Sequence, residues 1–511
     1  MKKIIIISLI FNTLWIYQIM AQNAGNAVMF SRYYSGGTAR SAGMSGAFGA
    51  LGGDLSVLSA NPAGLAVYRG SEFTFTPGFN FSSTNAASLR NPTTFNDKHS
   101  NVVINNIGYV YTKNMYNEKG LQTVSFGIAY NRLSDFNSNA YIKQSAAKTS
   151  LLDEFVMYAN GYNDRTGKYG IPLSEDDLYS GISSFYEGLA YDTYAIDWGE
   201  NRNAYYSDYD INDCNQPWYR SMTTRGGIGE YAFSLGLNFN HTLFWGATFG
   251  IQDVSYRESF YHEETPDFEY MKQFKFKQEL QHNGVGLNFK TGIIYRPVQA
   301  LRFGLSIHTP THLWLKRYLL TEMETSWNRS PADDGTTHYS PLPVENDPYD
   351  NKYKISTPWR YNLSVASVIG QFGLIDVDIE MVNYSNNYIL PKSDYDYDND
   401  DISRILKTCM NVRTGAEFRL GPVFLRGGVA YYGNPYQKNQ FNETIKETLK
   451  GTMNYSGGIG FRNRDFYMDA AYSFMKNPER INTLYMSYNE DEQAKLQTNA
   501  GKFILTFGFK F

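Results

Sequence analysis

The residues best placed to do chemistry are charged, and they recur at spacings of two. Asp376, Asp378 and Glu380 alternate along one stretch. Arg413, Glu417 and Arg419 share the parity of another, and Arg426 follows soon after. Alternate residues of a strand point to one face, so in strands these carboxylates and guanidiniums line a common surface. Arg413, Arg426 or Arg419 could there hold the carboxylate of a ligand in bidentate fashion. The alternative is a structural ion-pair network, the commoner use of such clusters. Asp394, Asp396, Asp398, Asp400 and Asp401 begin like a calcium loop. Residue 399 is Asn where the turn glycine belongs, and residue 405 is Ile where the closing glutamate belongs. A solvated loop or a weak divalent site is expected, not an EF-hand. His308 and His312 lie four apart with Pro310 between them, so they share no helical face and are not read as metal ligands. The sequence has no Gly-x-Ser-x-Gly elbow and no defensible Ser/His/acid constellation. An outer-surface hydrolase is therefore the weakest functional class, and no metal or cofactor is implied.

The elements that position these residues follow from composition and period. The chain has 511 residues, with 46 basic and 50 acidic side chains, a net charge of −4. Tyr (42), Phe (33) and Gly (44) are in excess. A mean hydropathy of −0.43 excludes a polytopic helical membrane protein, which needs several apolar runs of about 20 residues. The mild acidity argues against nucleic acid as a partner. Two cysteines, Cys214 and Cys409, are too few for a disulfide framework. Lys2 and Lys3, the apolar run Ile4 to Ile10 and the closing Ile19-Met20-Ala21 read as a signal peptide over 1–21, with cleavage before Gln22.

Strict alternation then dominates. At the C-terminus Phe503, Leu505, Phe507, Phe509 and Phe511 form a greasy face, and Ile504, Thr506, Gly508 and Lys510 the opposite one. Tyr231 to Phe239, Leu301 to His308 and Met410 to Arg419 repeat the pattern. In a transmembrane barrel the greasy face meets lipid and the other lines the lumen. An arginine turned to mid-hydrocarbon would cost about 2–4 kcal/mol, so the alternation fixes the faces. Strands are predicted near 71–82, 101–113, 121–134, 227–241, 243–263, 272–296, 299–320, 352–369, 372–390, 405–420, 422–434, 451–463, 464–477 and 499–511. They total fourteen, the even number expected of single-chain bacterial barrels. Connections sort into short ones (114–120, 242, 297–298, 370–371, 421) and long ones (83–98, 135–226, 321–351, 391–404, 435–450, 478–498). Short periplasmic turns opposite long outer loops are the layout of an outer-membrane barrel.

Residues 22–70 fit no strand. Gly36, Gly37, Gly43, Gly46, Gly49, Gly52 and Gly53 allow the close backbone approach that a plug inside the barrel needs. A flexible tail is the alternative. The domains are then a signal peptide (1–21), an N-terminal hatch (22–70) and a barrel (71–511) with a large extracellular insert at 135–226. In the insert, Leu151, Leu152, Phe155, Val156 and Tyr158, and again Leu178, Ile182, Phe185, Tyr186 and Leu189, have helical spacing. Two short helices could form a lid or a landing site for an apolar ligand, or could simply pack on each other.

The run Gly36 to Asp54, followed by Ser59-Ala60-Asn61-Pro62-Ala63-Gly64-Leu65, resembles the hatch of the FadL/TodX family of outer-membrane transporters for long-chain fatty acids and aromatic hydrocarbons. Thr357-Pro358-Trp359-Arg360-Tyr361, continuing to Asp378 and Tyr384, is similar to that family's second signature region. The resemblance implies an all-β fold, a 14-stranded antiparallel transmembrane β-barrel with the N-terminal plug in its lumen, located in the cell outer membrane. It implies capture of a long-chain fatty acid or other hydrophobic small molecule by outer loops, transfer to a lumenal pocket, and release on hatch rearrangement with help from an opening in the wall. By match to the motif, Asn61, Pro62, Ala63 and Gly64, with Asp54 before them, belong to the hatch. Outer-membrane lipid and lipopolysaccharide are the surroundings this location implies, and a monomer is the expected state. The insert has no counterpart that can be matched, and no motif anchors the pocket residues. A plugged structural or surface-binding barrel without transport is the alternative.

Overall fold

The computed structural model describes residues 20–34, 36–90, 93–163, 166–175, 177–179, 184–207, 216–266, 271–327, 337–343, 352–437, 450–488 and 490–511. Residues 1–19 and Cys214 lie outside them. Fourteen antiparallel strands close on themselves. They are β1 (Glu72–Ser88), β2 (Phe95–Asn114), β3 (Leu121–Asp135, resuming as Ser138–Ala147), β4 (Gln216–Phe239), β5 (Leu243–Glu264), β6 (Met271–Val298) and β7 (Leu301–His308 and His312–Trp327). The second half comprises β8 (Lys352–Ser356 and Arg360–Ile369), β9 (Gly373–Asn383), β10 (Thr408–Leu420), β11 (Val423–Tyr432), β12 (Thr452–Arg462), β13 (Phe466–Lys476) and β14 (Glu492–Lys510). The last strand returns to the first, with Phe73 opposite Phe509 and Phe79 opposite Phe503. Closure leaves no edge at that join, and hydrocarbon tolerates no unpaired backbone.

Faces follow the alternation. Phe233, Phe249, Phe289, Phe303, Leu363 and Phe503 are exposed on the outside, while Ala232, Thr248, Asn288, Ser364 and Thr506 are buried inside. The strands run further outward than the greasy pattern does. β1 and β2 leave only 89–94 between them, β3 continues through 138–147, and β4 begins at 216. Serines, threonines and asparagines replace the apolar residues there, so period-2 hydrophobicity fades while ladder pairing continues. Part of the stretch read as the 135–226 loop is therefore wall.

Inside, α1 (Met20–Ser31) occupies the outer half of the lumen. Its Ala24, Ala27, Val28 and Phe30 pack with Val254, Tyr256, Leu313, Tyr353 and Tyr384. Below it come α2 (Ala39–Gly43) and two 3-10 turns, Leu55–Ser59 and Pro62–Val67. Over the outer mouth lie α3 (Leu151–Ala159) and α4 (Ser184–Asp192). Leu151, Leu152 and Phe155 of α3 and Leu189 of α4 join Phe274 and Phe276 of β6 in one apolar cluster. The two helices pack on each other and on the wall, the second of the arrangements foreseen for them. Ser150 and Asp153 form a capping box on α3, and Glu264 of β5 accepts from Ser150 Oγ (2.6 Å) and Leu151 N (2.7 Å). The acidic stretch after β9 is not a loop. Residues Asp396–Ile405 form α5, with Asp396 and Asp398 in the first turn and Ile402 buried against α1.

Two carboxyls of the cap are buried at a cost. Burial raises Asp153 to about 7. It also raises Glu187 well above the usual carboxylate range, and both oxygens of Glu187 lack a hydrogen-bond partner among the described residues. A carboxyl raised in the folded state contributes stability that is complete below its ordinary value and is lost as pH rises through the folded value. On the Asp153 shift, the cap should therefore loosen between about pH 4 and pH 7. Amide hydrogen exchange at 151–159 should speed up with pH beyond the intrinsic chemical trend, and Asp153→Asn should flatten that dependence.

Candidate functional site

The hatch turn is built by capping. The Asn61 side chain accepts from Ala63 N (3.1 Å) and donates to Gly49 O (2.6 Å), while Pro62 sits at the first position of the 3-10 turn with its φ already set. Gly53 N donates to Gly64 O (3.0 Å). Gly52 has φ +69° and lies against Gly64 Cα, where a side chain would clash. Asp54 ties the first half of the plug to the second. It accepts from Thr38 Oγ1 (2.7 Å), Ser56 N (2.9 Å) and Ser56 Oγ (2.6 Å).

The wall beneath lacks side chains at the points where the plug comes closest to it. A Cβ on Gly304 would come within 2.5 Å of Gly49 O, and one on Gly236 within 2.6 Å of Ala66 N. A Cβ on Gly246 would overlap the Pro62 carbonyl, and one on Gly292 would overlap Asn61 Oδ1. Gly415 and Gly428 make the same room for Met44.

Polar contacts hold the plug against this surface. Asp378 of β9 accepts from Phe48 N (3.0 Å) and Gly49 N (3.1 Å). Arg302 donates to Leu51 O (2.6 Å), and Ser306 and His308 both donate to Ala60 O. Arg40 reaches from α2 to Glu417 of β10 with two bonds of 2.9 Å. Glu417 also accepts from Arg426 (2.6 Å), which reaches Asp469 at 2.7 Å. His312 points outward, so the two histidines are on opposite faces.

Of the three arginines singled out from the sequence, Arg413 and Arg426 face the lumen inside ion pairs. Arg413 bonds Glu380 (3.1 Å) and Asn362 (3.2 Å). Arg419 is apart from both, exposed at the β10–β11 turn with its Nε on Gly421 O. A cavity of about 90 Å³ lies between plug and wall, lined among others by Tyr33, Arg132, Lys290, His308, Arg360 and Arg413. Sequence inspection did not single out Arg40, Arg132 or Lys290, because isolated cations carry no spacing signal. Each cation has a carboxylate partner: Arg132 with Asp135 (3.2 Å), Lys290 with Glu230, and Arg360 with Glu380 (2.6 Å). Arg360 also donates to Ser31 O at the end of α1. Arg360, Asp378 and Tyr384, all in the second signature stretch, thus contact the N-terminal segment.

One ladder is incomplete. β2 and β3 pair from Asn114–Thr123 up to Asn106–Asn131. Beyond that point residues 95–104 of β2 pair with β1, and 138–147 of β3 pair with β4. No β2–β3 pair continues among the described residues. The outer part of β3 leans inward, where Ile142 packs with Ala86, Trp218 and Ala494. Plug residue Gly36 lies against the Arg132 carbonyl at the break.

With this geometry in hand, solved structures can be compared. A FadL homologue from Pseudomonas aeruginosa superposes with a TM-score of 0.52 at 11% identity, covering 94% of this chain and 100% of that one. The toluene transporter TodX from Pseudomonas putida gives 0.50 at 11% identity, covering 94% and 100%. The chain has the FadL/TodX fold. At this identity the likeness speaks for the fold alone. No protein-family profile matches the sequence, and no curated protein matches it. The FadL/TodX resemblance at 36–65 and 357–384 led to the right architecture, a plugged barrel of the outer-membrane type.

Glu417→Gln should test the plug contacts. Breaking one partner of a buried ion pair typically costs about 3–5 kcal/mol. The barrel should still show its heat-modifiable gel mobility, while protease cleavage within 36–68 becomes faster than in the wild type.

Proposed function

We propose that this protein is a passive outer-membrane transporter for hydrophobic compounds, long-chain fatty acids first among them. Residues 1–21 act as the signal peptide, 22–70 as the hatch, and 71–511 as the barrel. Cargo lands on the outer cap, enters the lumen, and leaves when the hatch rearranges, with the open β2–β3 ladder as the route through the wall. The observation that carries this reading is the plug itself. It fills the bore and is held by capping bonds, buried ion pairs, hydrogen bonds to wall side chains, apolar packing and bare glycine contacts, beside the one ladder that stops short among the described residues. Arg413 lines the cavity and is the strongest of the three arginines for meeting a cargo carboxylate. The cavity, at about 90 Å³, is well below the roughly 300 Å³ at which small-molecule pockets begin. A cavity of that size supports reading this as a closed state, from which transfer proceeds when α1 or the hatch moves. The same observation favours a second reading, a permanently plugged structural or surface-binding barrel.

Uptake of labelled oleate by cells lacking their own transporter separates the two. Cells carrying the wild type should accumulate oleate. Asn61→Ala, which frees Gly49 O and removes a cap that typically contributes about 0.5–2 kcal/mol, should lose that uptake at equal folded protein level. Absence of uptake from a correctly inserted wild type, for both oleate and toluene, would favour the structural reading.

A further inference from the structure

We propose that the outside of the barrel carries a saccharide platform, formed by Tyr141 of β3, Tyr219 of β4 and Tyr261 of β5, which holds the oligosaccharide of an outer-leaflet glycolipid. The three rings run side by side around the wall. Their centroids are 6.1 and 5.5 Å apart in that order. The Tyr141–Tyr219 and Tyr219–Tyr261 planes differ by only 33° and 37°.

Their direction is fixed by their neighbours. Ala140 and Ile142, Trp218 and Arg220, and His262 and Glu264 flank the three tyrosines and are all buried, so the tyrosines face out. All three rings are half-buried, leaving part of each to solvent. Glu263 holds two of them, accepting from Tyr261 OH (2.5 Å) and Tyr219 OH (2.7 Å), while Gln273 donates to its other oxygen (2.8 Å). The rings are ordered before any ligand arrives, which lowers the entropic cost of binding.

Height separates this ladder from an ordinary aromatic girdle. On β5 the outward apolar residues end at Ile251, and Asp253, Ser255 and Arg257 follow. Tyr261 lies ten residues beyond Ile251 on that strand. At about 3.3 Å per residue and a tilt of about 45°, it stands roughly 23 Å above the apolar band. Interfacial girdles lie at headgroup level. Sugars anchored in the outer leaflet occupy the space above it. The charge fits such a partner as well. The neighbouring cations on β6 are matched on β7, Lys275 with Glu324 (3.1 Å) and Lys277 with Glu322 (3.4 Å). Lys143 of β3, opposite Tyr219 in the ladder, is exposed beside the rings, so the surface offers negative aromatic faces to the C–H sides of pyranose rings with one cation at its rim.

The test uses the full-length protein in nanodiscs, titrated with rough lipopolysaccharide carrying a complete core and with the deep-rough form stripped to its innermost sugars. The wild type should bind the complete core about tenfold more tightly, the size of one good ring contact. The Tyr219→Ala/Tyr261→Ala double variant should lose that preference with unchanged heat-modifiable mobility. Tyr219→Phe, which keeps the ring, and Tyr231→Ala, in the hydrocarbon band, should retain it. Equal affinity of the wild type for the two forms overturns the proposal whether or not the double variant folds, and so does a preference that survives in a folded double variant. Neither result depends on whether the lumen transports cargo.

Discussion

The bore of the barrel and the bulk of its plug are matched by the removal of side chains. At the closest approaches of plug to wall one partner is glycine: Gly236, Gly246, Gly292 and Gly304 beneath the hatch turn, Gly415 and Gly428 beneath Met44. Close-packed interiors leave no room for a side chain at such points. The small lumenal face needed to admit the plug is also the small face that makes the alternation so clear in the sequence. The lipid-facing side chains are free to be large because their space is unlimited, while the lumenal ones are set by what they enclose.

Electrostatics fixes the plug once packing has admitted it. Two wall carboxylates do most of this. Asp378 takes the plug's own N–H groups at Phe48 and Gly49, and Glu417 takes Arg40 while sharing Arg426 with Asp469. Both lie on β9 and β10, on the far side of the bore from the open β2–β3 ladder. The β3 side holds the plug as well, where Asn131 donates to Leu55 O (3.3 Å) and Ser59 Oγ (3.0 Å) and Ser134 Oγ donates to Arg32 O (3.1 Å). Above it α1 packs with Tyr256, Tyr353 and Tyr384, so the apolar part of the lumen is filled by the chain itself.

Strand number, face assignment, the plug and the two cap helices were legible because each rests on a local signal: a period of two, a run of small residues, a period near 3.6. The outer parts of β1 to β4 were not, because Ser82, Ser83, Thr84 and Asn85 pair as strand without greasy alternation. The helix at Asp396–Ile405 was hidden for a related reason. Its aspartates suggest a loop, and its burial depends on α1, which is distant in sequence. Within the site, the turn at Asn61 was readable from capping chemistry. Arg413 and Arg426 were readable as lumenal and as members of an ion-pair network, but their particular partners were not, since those come from other strands. Arg419 shares their parity but lies at the strand end, where parity no longer selects between lumen and solvent.

The central claim is that cargo passes only when the plug moves. Ser45 Oγ of the plug and Ser456 Oγ of β12 are 2.8 Å apart. A Ser45→Cys/Ser456→Cys pair would tie the two together, with native Cys409 buried. The most direct measurement is oleate uptake by cells carrying this pair, before and after reduction. The account predicts uptake that is blocked while the disulfide is intact and returns with reductant. Full uptake with the disulfide quantitatively formed would contradict it.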